Sequence, residues 1–259
     1  MKRIVACLLS LCLFSPFAFA NTFTTDLTDL WWNENESGWG VTATHQREVV
    51  FLTFFVYAAD SRATFYTGQA TYVSQSASGA LIFSGPLYET QGPWIGVPFN
   101  PNLVTIRQAG NVTFTAFIDS ATMTYNVDST NVTKALTRQT FRNNDLTGGY
   151  AGIFRQASSG CATAANNVTV ESVVGVAINN TTTTFSMTTN ESGTICEYTG
   201  NYRQSGRMGS SSGGFSCPGR TGSYQMVEIE ANPSGITGRF TGQNNLCSQV
   251  SGRLALVKR

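Results

Sequence analysis

The sequence predicts an all-β protein of two antiparallel domains, each an up-and-down barrel or a sandwich of about eight strands. No segment keeps apolar residues at the i, i+3, i+4, i+7 spacing of a helix, whereas β-branched residues and glycines recur along the chain. Short segments alternate polar and apolar side chains, as half-buried strands do. Turn sequences separate these segments at intervals of about 8–12 residues, which is typical of an antiparallel meander.

Three segments of the first half carry the clearest strand patterns. Residues 121–127 alternate polar and apolar side chains, and residues 112–118 place their alternate apolar side chains on one face. Residues 49–58 are apolar on both faces, which predicts a strand that is covered on both sides or carries an exposed aromatic patch. Turns of this half are predicted at residues 59–61, 78–79, 109–111 and 128–129.

Composition restricts the class of protein. Only 12% of the 259 residues are charged, against about 25% in an ordinary domain, and Thr, Ser, Asn and Gly take their place. A helical bundle would need long runs of Ala, Glu, Lys and Leu, and a disordered chain would lack the 12% of aromatic residues found here. The formal net charge is +1, so a nucleic-acid partner is not expected.

Residues 1–20 have the pattern of a secretory signal peptide. Lys2 and Arg3 precede an apolar run over residues 4–13, and residues 18–20 read AFA, an A-x-A cleavage site. Residues 4–7 also resemble a lipobox, but cleavage there would leave almost no hydrophobic core for export. Because no stretch is long enough to span a bilayer as a helix, we expect an exported protein that is not integral to the membrane. Its location would be the periplasm, the cell surface or the extracellular medium.

The best domain boundary lies at residues 142–145, which read RNND. All four Trp precede it, and all four Cys that follow the signal peptide come after it. The predicted domains are therefore a Trp-rich β domain at residues 21–142 and a disulfide-containing β domain at residues 145–259. Each has about 110–120 residues, which is enough for an independent eight-stranded barrel.

An even number of cysteines in an exported chain predicts disulfides. None of the four has the CxxC spacing of a zinc site or redox motif. Counting strands in the second half places all four at the same end of an up-and-down barrel, where the fourth and fifth strands are neighbours and closure joins the first to the eighth. This geometry favours the pairs Cys196–Cys217 and Cys161–Cys247 among the three possible pairings.

The densest group of candidate functional residues follows the signal peptide. Residues 31–40 read WWNENESGWG and residues 41–46 read VTATHQ, so that three of the four Trp and the only His fall within 15 residues. The period of a strand places Trp39, Val41, Ala43 and His45 on one face.

This stretch resembles the opening of a recurrent module of secreted bacterial proteins, marked by W-W-N-x-x-E-S-G-W-G, then His-Gln, then an aromatic strand ending in Tyr. The resemblance continues through residues 65–68 (FYTG), 121–125 (ATMTY) and 134–141 (KALTRQTF), and it covers about residues 29–141. The chain departs from the module at Glu34, where Pro is common, and this leaves the turn before Glu36 less rigid. The resemblance implies no particular activity.

Two interpretations of the tryptophan segment are open. In the first, the protein is a non-catalytic binding or envelope-associated protein whose aromatic rings hold a glycan or a small apolar molecule, oriented by polar side chains. This candidate site consists of Trp31, Trp32, Glu36, Ser37, Trp39, His45, Gln46, Tyr57 and Tyr66. In the second, the protein is structural and its Trp rings are buried. The exposure of the Trp rings distinguishes the two.

Catalysis is a third, less favoured interpretation. A Ser-His-Asp hydrolase would have to use His45, and the chain has no G-x-S-x-G motif. With one His and no calcium-binding loop, neither a metal nor a cofactor is predicted. A glycoside hydrolase stays open because it needs only two carboxylates about 5–9.5 Å apart. The candidate carboxylates are Glu34, Glu36, Asp60 and Glu89.

Overall fold

A computed structural model describes residues 25–259, and the predicted signal peptide lies outside these residues. The first barrel consists of β1 (Asp29–Trp32), β2 (Gly40–Gln46), β3 (Val49–Tyr57), β4 (Ala63–Gln75), β5 (Leu81–Gln91), β6 (Thr105–Ala116), β7 (Ser120–Val127) and β8 (Thr130–Arg138). The second consists of β9 (Gly148–Cys161), β10 (Thr169–Asn180), β11 (Thr184–Glu191), β12 (Thr194–Ser205), β13 (Met208–Cys217), β14 (Arg220–Asn232), β15 (Gly235–Asn244) and β16 (Cys247–Lys258).

Both barrels are closed up-and-down meanders of eight antiparallel strands, which confirms the predicted all-β, two-unit fold. Each strand pairs with its sequence neighbours, and the β1–β8 and β9–β16 pairs close the two sheets. Closure leaves no free sheet edge. No helix among residues 25–259 is long and apolar enough to cross a membrane.

Up-and-down topology gives each barrel two ends, which we name for what they carry. The linker ends are those where β8 of the first barrel finishes and β9 of the second begins. The opposite end of the first barrel is the loop end, formed by connections 33–39, 58–62, 92–104 and 128–129. The opposite end of the second barrel is the cysteine end, formed by connections 162–168, 192–193, 218–219 and 245–246.

Large side chains fill the first barrel. Its fully buried core includes Trp31, Leu52, Phe54, Phe83, Leu87, Phe114, Met123 and Leu136. Trp31 packs edge-on against Phe114, with 5.4 Å between ring centroids. Eight strands enclose a space just wide enough for side chains or for one small ligand, and in this barrel side chains occupy it.

Residues 49–58 are predicted to form a strand that is covered on both sides or carries an exposed aromatic patch, and strand β3 carries the patch. Leu52 and Phe54 point into the core, whereas Phe51, Phe55 and Tyr57 are exposed on the outer face of the barrel.

The second barrel has a less complete core. Its buried apolar side chains concentrate toward the linker end, where Ile178, Phe185, Tyr202, Ile236 and Leu256 meet. Glycines face each other in neighbouring strands closer to the cysteine end, as Gly200 does with Gly213. A Cβ on Gly213 would lie 1.9 Å from the carbonyl oxygen of Thr199, so the close approach of β12 and β13 requires glycine there.

The disulfides are Cys161–Cys247 and Cys196–Cys217, as predicted. Cys161 and Cys247 are direct cross-strand partners in the β9–β16 pair that closes the barrel. Cys196 and Cys217 join β12 to β13 at the same end. Both bridges therefore fasten the rim of the second barrel, and such disulfides are typical of an oxidising environment.

The turn predicted at residues 109–111 is wrong, because this segment lies inside β6. Gly110 has a different role: a Cβ at this position would lie 1.9 Å from the carbonyl oxygen of Asn126. A register shift in the β5–β6 pair falls opposite the same place, between Leu87 and Tyr88. The glycine thus permits a close strand approach beside a bulge rather than a reversal of the chain.

The two barrels contact each other at their linker ends through the turn between β12 and β13. The backbone N–H of Arg207 donates to Asp29 Oδ2 at 3.0 Å, and its Nε donates to the carbonyl oxygen of Thr28 at 2.8 Å. The guanidinium also forms ion pairs with Asp26 and Glu230, one from each barrel. One arginine of the second barrel is therefore bound to the N-terminal segment of the first.

Buried tyrosines of the second barrel predict a loss of stability in alkali. Burial raises the pKa of Tyr202 to about 12, and burial also raises the pKa of Tyr198 and Tyr224. An unfolded tyrosine ionises near pH 10, so between about pH 10 and pH 12 the unfolded chain loses protons that the folded chain retains. The free energy of unfolding should fall over this range, and urea denaturation at stepped pH measures it. Tyr202→Phe should flatten the fall, whereas Tyr57→Phe, at an exposed position, should not.

Candidate functional site

The three tryptophans of the predicted site have different environments. Trp31 is fully buried, and its Nε1 donates to the carbonyl oxygen of Leu27 at 3.0 Å. Trp32 is half-buried and lines a shallow surface groove along β1, β6, β7 and β8. Trp39 is half-buried against the core at the loop end. Trp31 is therefore a core residue, and only the other two rings reach the surface.

Glu36 and Trp39 belong to a bonded cluster that closes the β1–β2 connection. Trp39 Nε1 donates to Glu36 Oε2 at 3.0 Å, and Lys134 Nζ donates to both oxygens of the same carboxylate at 2.7 and 2.9 Å. The Lys134 ammonium also lies 5.6 Å from the centroid of the Trp39 ring. The hydrogen bonds from Lys134 hold the pKa of Glu36 below its usual range. Glu36 thus already has its partners within the fold.

Further candidates lie around the same end. Ser37 and Tyr57 are exposed, and the Tyr57 hydroxyl lies near Gly38, 3.5 Å from where a Cβ would be. Tyr66 is half-buried against the core. Its burial, and to a smaller extent the negative charge of Glu89, raises the pKa of its hydroxyl group.

His45 and Gln46 lie at the opposite end of the barrel, because β2 runs from the loop end to the linker end. His45 Nδ1 accepts from the backbone N–H of Leu27 at 3.3 Å, and Nε2 lies 2.7 Å from the carbonyl oxygen of Arg47. These contacts hold the N-terminal segment on the barrel. The structure therefore separates His45 and Gln46 from Glu36 and Trp39 by the length of β2.

Most carboxylates considered for glycoside hydrolysis are bound to cations. Glu36 pairs with Lys134, Asp60 with Arg62 at 2.6 Å, and Glu89 with Arg107 at 2.5 Å. Hydrogen bonds from Arg62 lower the pKa of Asp60, as those from Lys134 lower that of Glu36. A general acid in glycoside hydrolysis needs a raised pKa, whereas the pKa values of these two carboxylates are lowered.

A partly enclosed space lies in the second barrel, toward the cysteine end. It has a volume of about 230 Å³, and all eight strands contribute to its wall. Its lining includes side chains that point into the barrel yet remain partly exposed, because no larger residues cover them. Examples are Phe154, Gln156, Ser172, Tyr198, Phe215, Arg220, Phe240 and Asn244. We call this space the lumen.

Aromatic rings form the apolar wall of the lumen. Tyr198 stacks on Phe215 with ring centroids 5.4 Å apart and meets Tyr224 edge-on at 5.5 Å. Phe154 and Phe240 form a second pair at 6.0 Å. The Tyr224 hydroxyl is 3.0 Å from Ser211 Oγ deeper in the barrel, which fixes that ring. Flat apolar surfaces held in this way suit a planar or aliphatic ligand.

The rim of the lumen is polar and carries two unpaired charges. Arg220 begins β14 directly opposite Cys217, and Glu191 ends β11. Neither side chain forms an ion pair within residues 25–259, although seven other arginines and lysines there do. Burial raises the pKa of Tyr198, and the nearby charge of Arg220 opposes that rise. The guanidinium is thus electrostatically coupled to the aromatic wall below it.

Sequence reasoning missed the lumen, although a signal was present. At positions of β10, β11 and β15 that line the lumen the chain has Ser172, Thr189 and Gly242, where strands of the first barrel have Phe or Leu. Small inward residues in alternate positions leave a barrel unfilled. The tryptophan-rich segment predicted a binding site instead, because aromatic rings are frequent at such sites.

Within residues 25–259 no group of His, Cys, Asp and Glu is arranged to hold a metal ion. Comparison with family models, with curated proteins and with solved structures gave no match to this chain.

Proposed function

We propose that the protein is an exported, non-catalytic binding protein that holds a small amphipathic molecule in the lumen of the second barrel. The observation that carries this proposal is the contrast between the two barrels. Side chains such as Phe54 and Phe114 fill the first, whereas the second has about 230 Å³ of space between aromatic walls and a charged rim. An eight-stranded barrel with such a space is suited to one small ligand.

The chemistry of the lumen favours an apolar ligand with one anionic group. The Tyr198–Phe215 stack and the Phe154–Phe240 pair would contact the apolar part. Arg220 at the rim would donate to a carboxylate or a similar anion, because its planar guanidinium binds such groups in bidentate fashion. The volume is below the about 300–1,000 Å³ of pockets for drug-sized ligands, so we expect a smaller molecule.

In this proposal the tryptophan segment has a structural role. The Glu36–Lys134–Trp39 cluster closes the loop end of the first barrel, and Trp31 fills its core. The disulfides support export, since they favour an oxidising compartment such as the periplasm, the cell surface or the extracellular medium. They also keep the mouth of the lumen in shape.

Filling the lumen is expected to abolish binding. A panel of small aromatic and aliphatic carboxylates, with their neutral amides, can be tested by saturation-transfer NMR and calorimetry. Ser172→Phe places a ring in the lumen and should weaken the best carboxylate by tenfold or more, because ring and ligand compete for the same space. Ser216→Phe, on the exposed outer face of β13, is the matched control and should leave the affinity unchanged.

Arg220→Gln tests the anionic group separately. We expect a loss of about tenfold or more for the carboxylate and little change for its amide, since a charge-assisted hydrogen bond is worth about 1.5–3 kcal/mol. Arg203→Gln, at an exposed position on β12, is the control. Binding that survives Ser172→Phe, or a panel without any ligand that this variant weakens, would contradict the proposed function.

A further inference from the structure

The connection between β5 and β6, residues 92–104, exposes an unusual amount of apolar surface at the loop end of the first barrel. Ile95 is 96% exposed, Trp94 73%, Phe99 70% and Leu103 59%. Single exposed hydrophobic residues are ordinary, but a cluster of them in one loop marks an interaction surface. We call this cluster the apolar tip; its members are Trp94, Ile95, Val97, Phe99, Leu103 and Ile106.

Charge is absent from the apolar tip and concentrated at its base. Residues 90–106 contain no Asp, Glu, Lys or Arg. Immediately below, Glu89 and Arg107 are direct cross-strand partners, and Arg107 also pairs with Asp128. The apolar tip is therefore an uncharged group of six large side chains, five in the loop and Ile106 at the start of β6, above a layer of ion pairs.

Prolines and local hydrogen bonds reduce the number of backbone N–H groups in the loop that need water as a partner. Pro93, Pro98 and Pro101 have no N–H to satisfy. The N–H of Val97 donates to the carbonyl oxygen of Trp94 at 3.2 Å, and the N–H of Leu103 donates to that of Asn100 at 3.1 Å. Backbone groups without partners are costly in an apolar medium, so this arrangement lowers the cost of insertion.

The shape and the chemistry of the tip together identify one kind of partner. A loop whose apolar side chains are this exposed would need a deep, matching groove on a protein partner, whereas the boundary between lipid headgroups and hydrocarbon adapts to its shape. Trp favours this boundary, and Ile and Phe favour the hydrocarbon beneath it. The ion pairs of Glu89, Arg107 and Asp128 would then lie at the depth of the headgroups.

We propose that the apolar tip inserts into the outer part of a lipid bilayer and attaches the protein to a membrane surface. The tip lies at the end of the first barrel opposite the contact with the second, so the second barrel leaves it accessible. Exposed Phe55, Tyr57 and Phe65 on β3 and β4 extend the apolar surface around this end. Without the predicted signal peptide, which carries Lys2 and Arg3, the formal net charge falls from +1 to −1, so the chain would bind by apolar insertion rather than by attraction to anionic lipids.

Vesicle binding tests this proposal directly. The chain from Asn21, the predicted mature N-terminus, is sedimented with neutral phosphatidylcholine vesicles at low and high salt. We expect binding that salt leaves almost unchanged, and a partition coefficient lowered about tenfold or more by the combined Trp94→Ser, Ile95→Ser and Phe99→Ser substitutions.

The matched control replaces three exposed apolar residues of the second barrel, Ile153→Ser, Val173→Ser and Val257→Ser, and should bind vesicles like the unchanged protein. Light scattering in the absence of lipid tests a second copy as the partner. The proposal fails if the unchanged chain does not bind vesicles or if the tip variant still does. It also fails if the tip substitutions convert a dimer to a monomer, since the tip would then be a protein interface.

Discussion

Replacing Arg138 by Met is expected to lower the free energy of unfolding of the first barrel by about 3–5 kcal/mol. The Arg138 side chain is fully buried, and its Nη1 donates to Asp29 Oδ2 at 3.1 Å. Its Nη2 and Nε donate to the carbonyl oxygens of Asp26 at 2.6 Å and Ile118 at 2.5 Å. Met fills similar space but removes the cation that pairs with the mostly buried Asp29 carboxylate and the donors to the carbonyl oxygens of Asp26 and Ile118.

Two further contacts make Arg138 difficult to replace. Its guanidinium carbon lies 4.7 Å from the centroid of the Trp31 ring, a cation–π contact inside the barrel. Asp29 Oδ2 accepts from both Arg138 and the backbone N–H of Arg207, so this carboxylate joins the two barrels. Arg138→Lys keeps the charge but cannot reach carbonyl groups in several directions, and we expect it to recover only part of the loss.

Denaturant titration followed by Trp fluorescence measures this effect, because all four Trp lie in the first barrel. Arg107→Met is the matched control: Arg107 also bonds two carboxylates, but its side chain is half exposed. Exposed ion pairs contribute about 0–1 kcal/mol, so the control should change the free energy of unfolding little. An Arg138→Met variant as stable as this control would contradict the prediction.

The sequence predicts those features of the fold that depend only on the alternation of side chains and on the number of strands. Strand alternation and turn spacing give eight strands in each half, and once closure is assumed the first and eighth strands must pair. Cys161 and Cys247 then lie on neighbouring strands at the same end of the barrel, and the strand count therefore favours this pairing over the alternatives. Such predictions need only the direction of each strand, not the packing of its side chains.

Predictions that depend on packing are harder to make from the sequence. Gly110 reads as a turn, but glycine also serves where a strand passes close to another backbone, and the choice depends on the neighbour, Asn126. Arg138 lies in a polar-looking segment, and its burial depends on Asp29 and Ile118, which are far away in the sequence. An aromatic segment likewise does not reveal that Trp31 points inward while Trp94 points into solvent.

Removing the disulfides is expected to destabilise the second barrel by unequal amounts. Cys161 and Cys247 are 86 residues apart, whereas Cys196 and Cys217 are 21 apart. In the chain-entropy model a longer closed loop restricts the unfolded chain more, which gives about 4–5 kcal/mol for the first bridge and about 3 kcal/mol for the second. We therefore expect Cys161→Ala/Cys247→Ala to lower the free energy of unfolding more than Cys196→Ala/Cys217→Ala does.

Two probes allow each barrel to be followed separately. Trp fluorescence reports the first barrel, because all four Trp lie there, and amide hydrogen exchange of β9–β16 in denaturant reports the second. In both double variants the transition of the second barrel should move to lower denaturant and the Trp transition should stay nearly in place, because the first barrel has no cysteine. Equal shifts of the two signals would mean that the contacts of Arg207 couple the barrels into one unfolding unit. The disulfides at the rim of the lumen would then stabilise the barrel at the other end of the molecule as well.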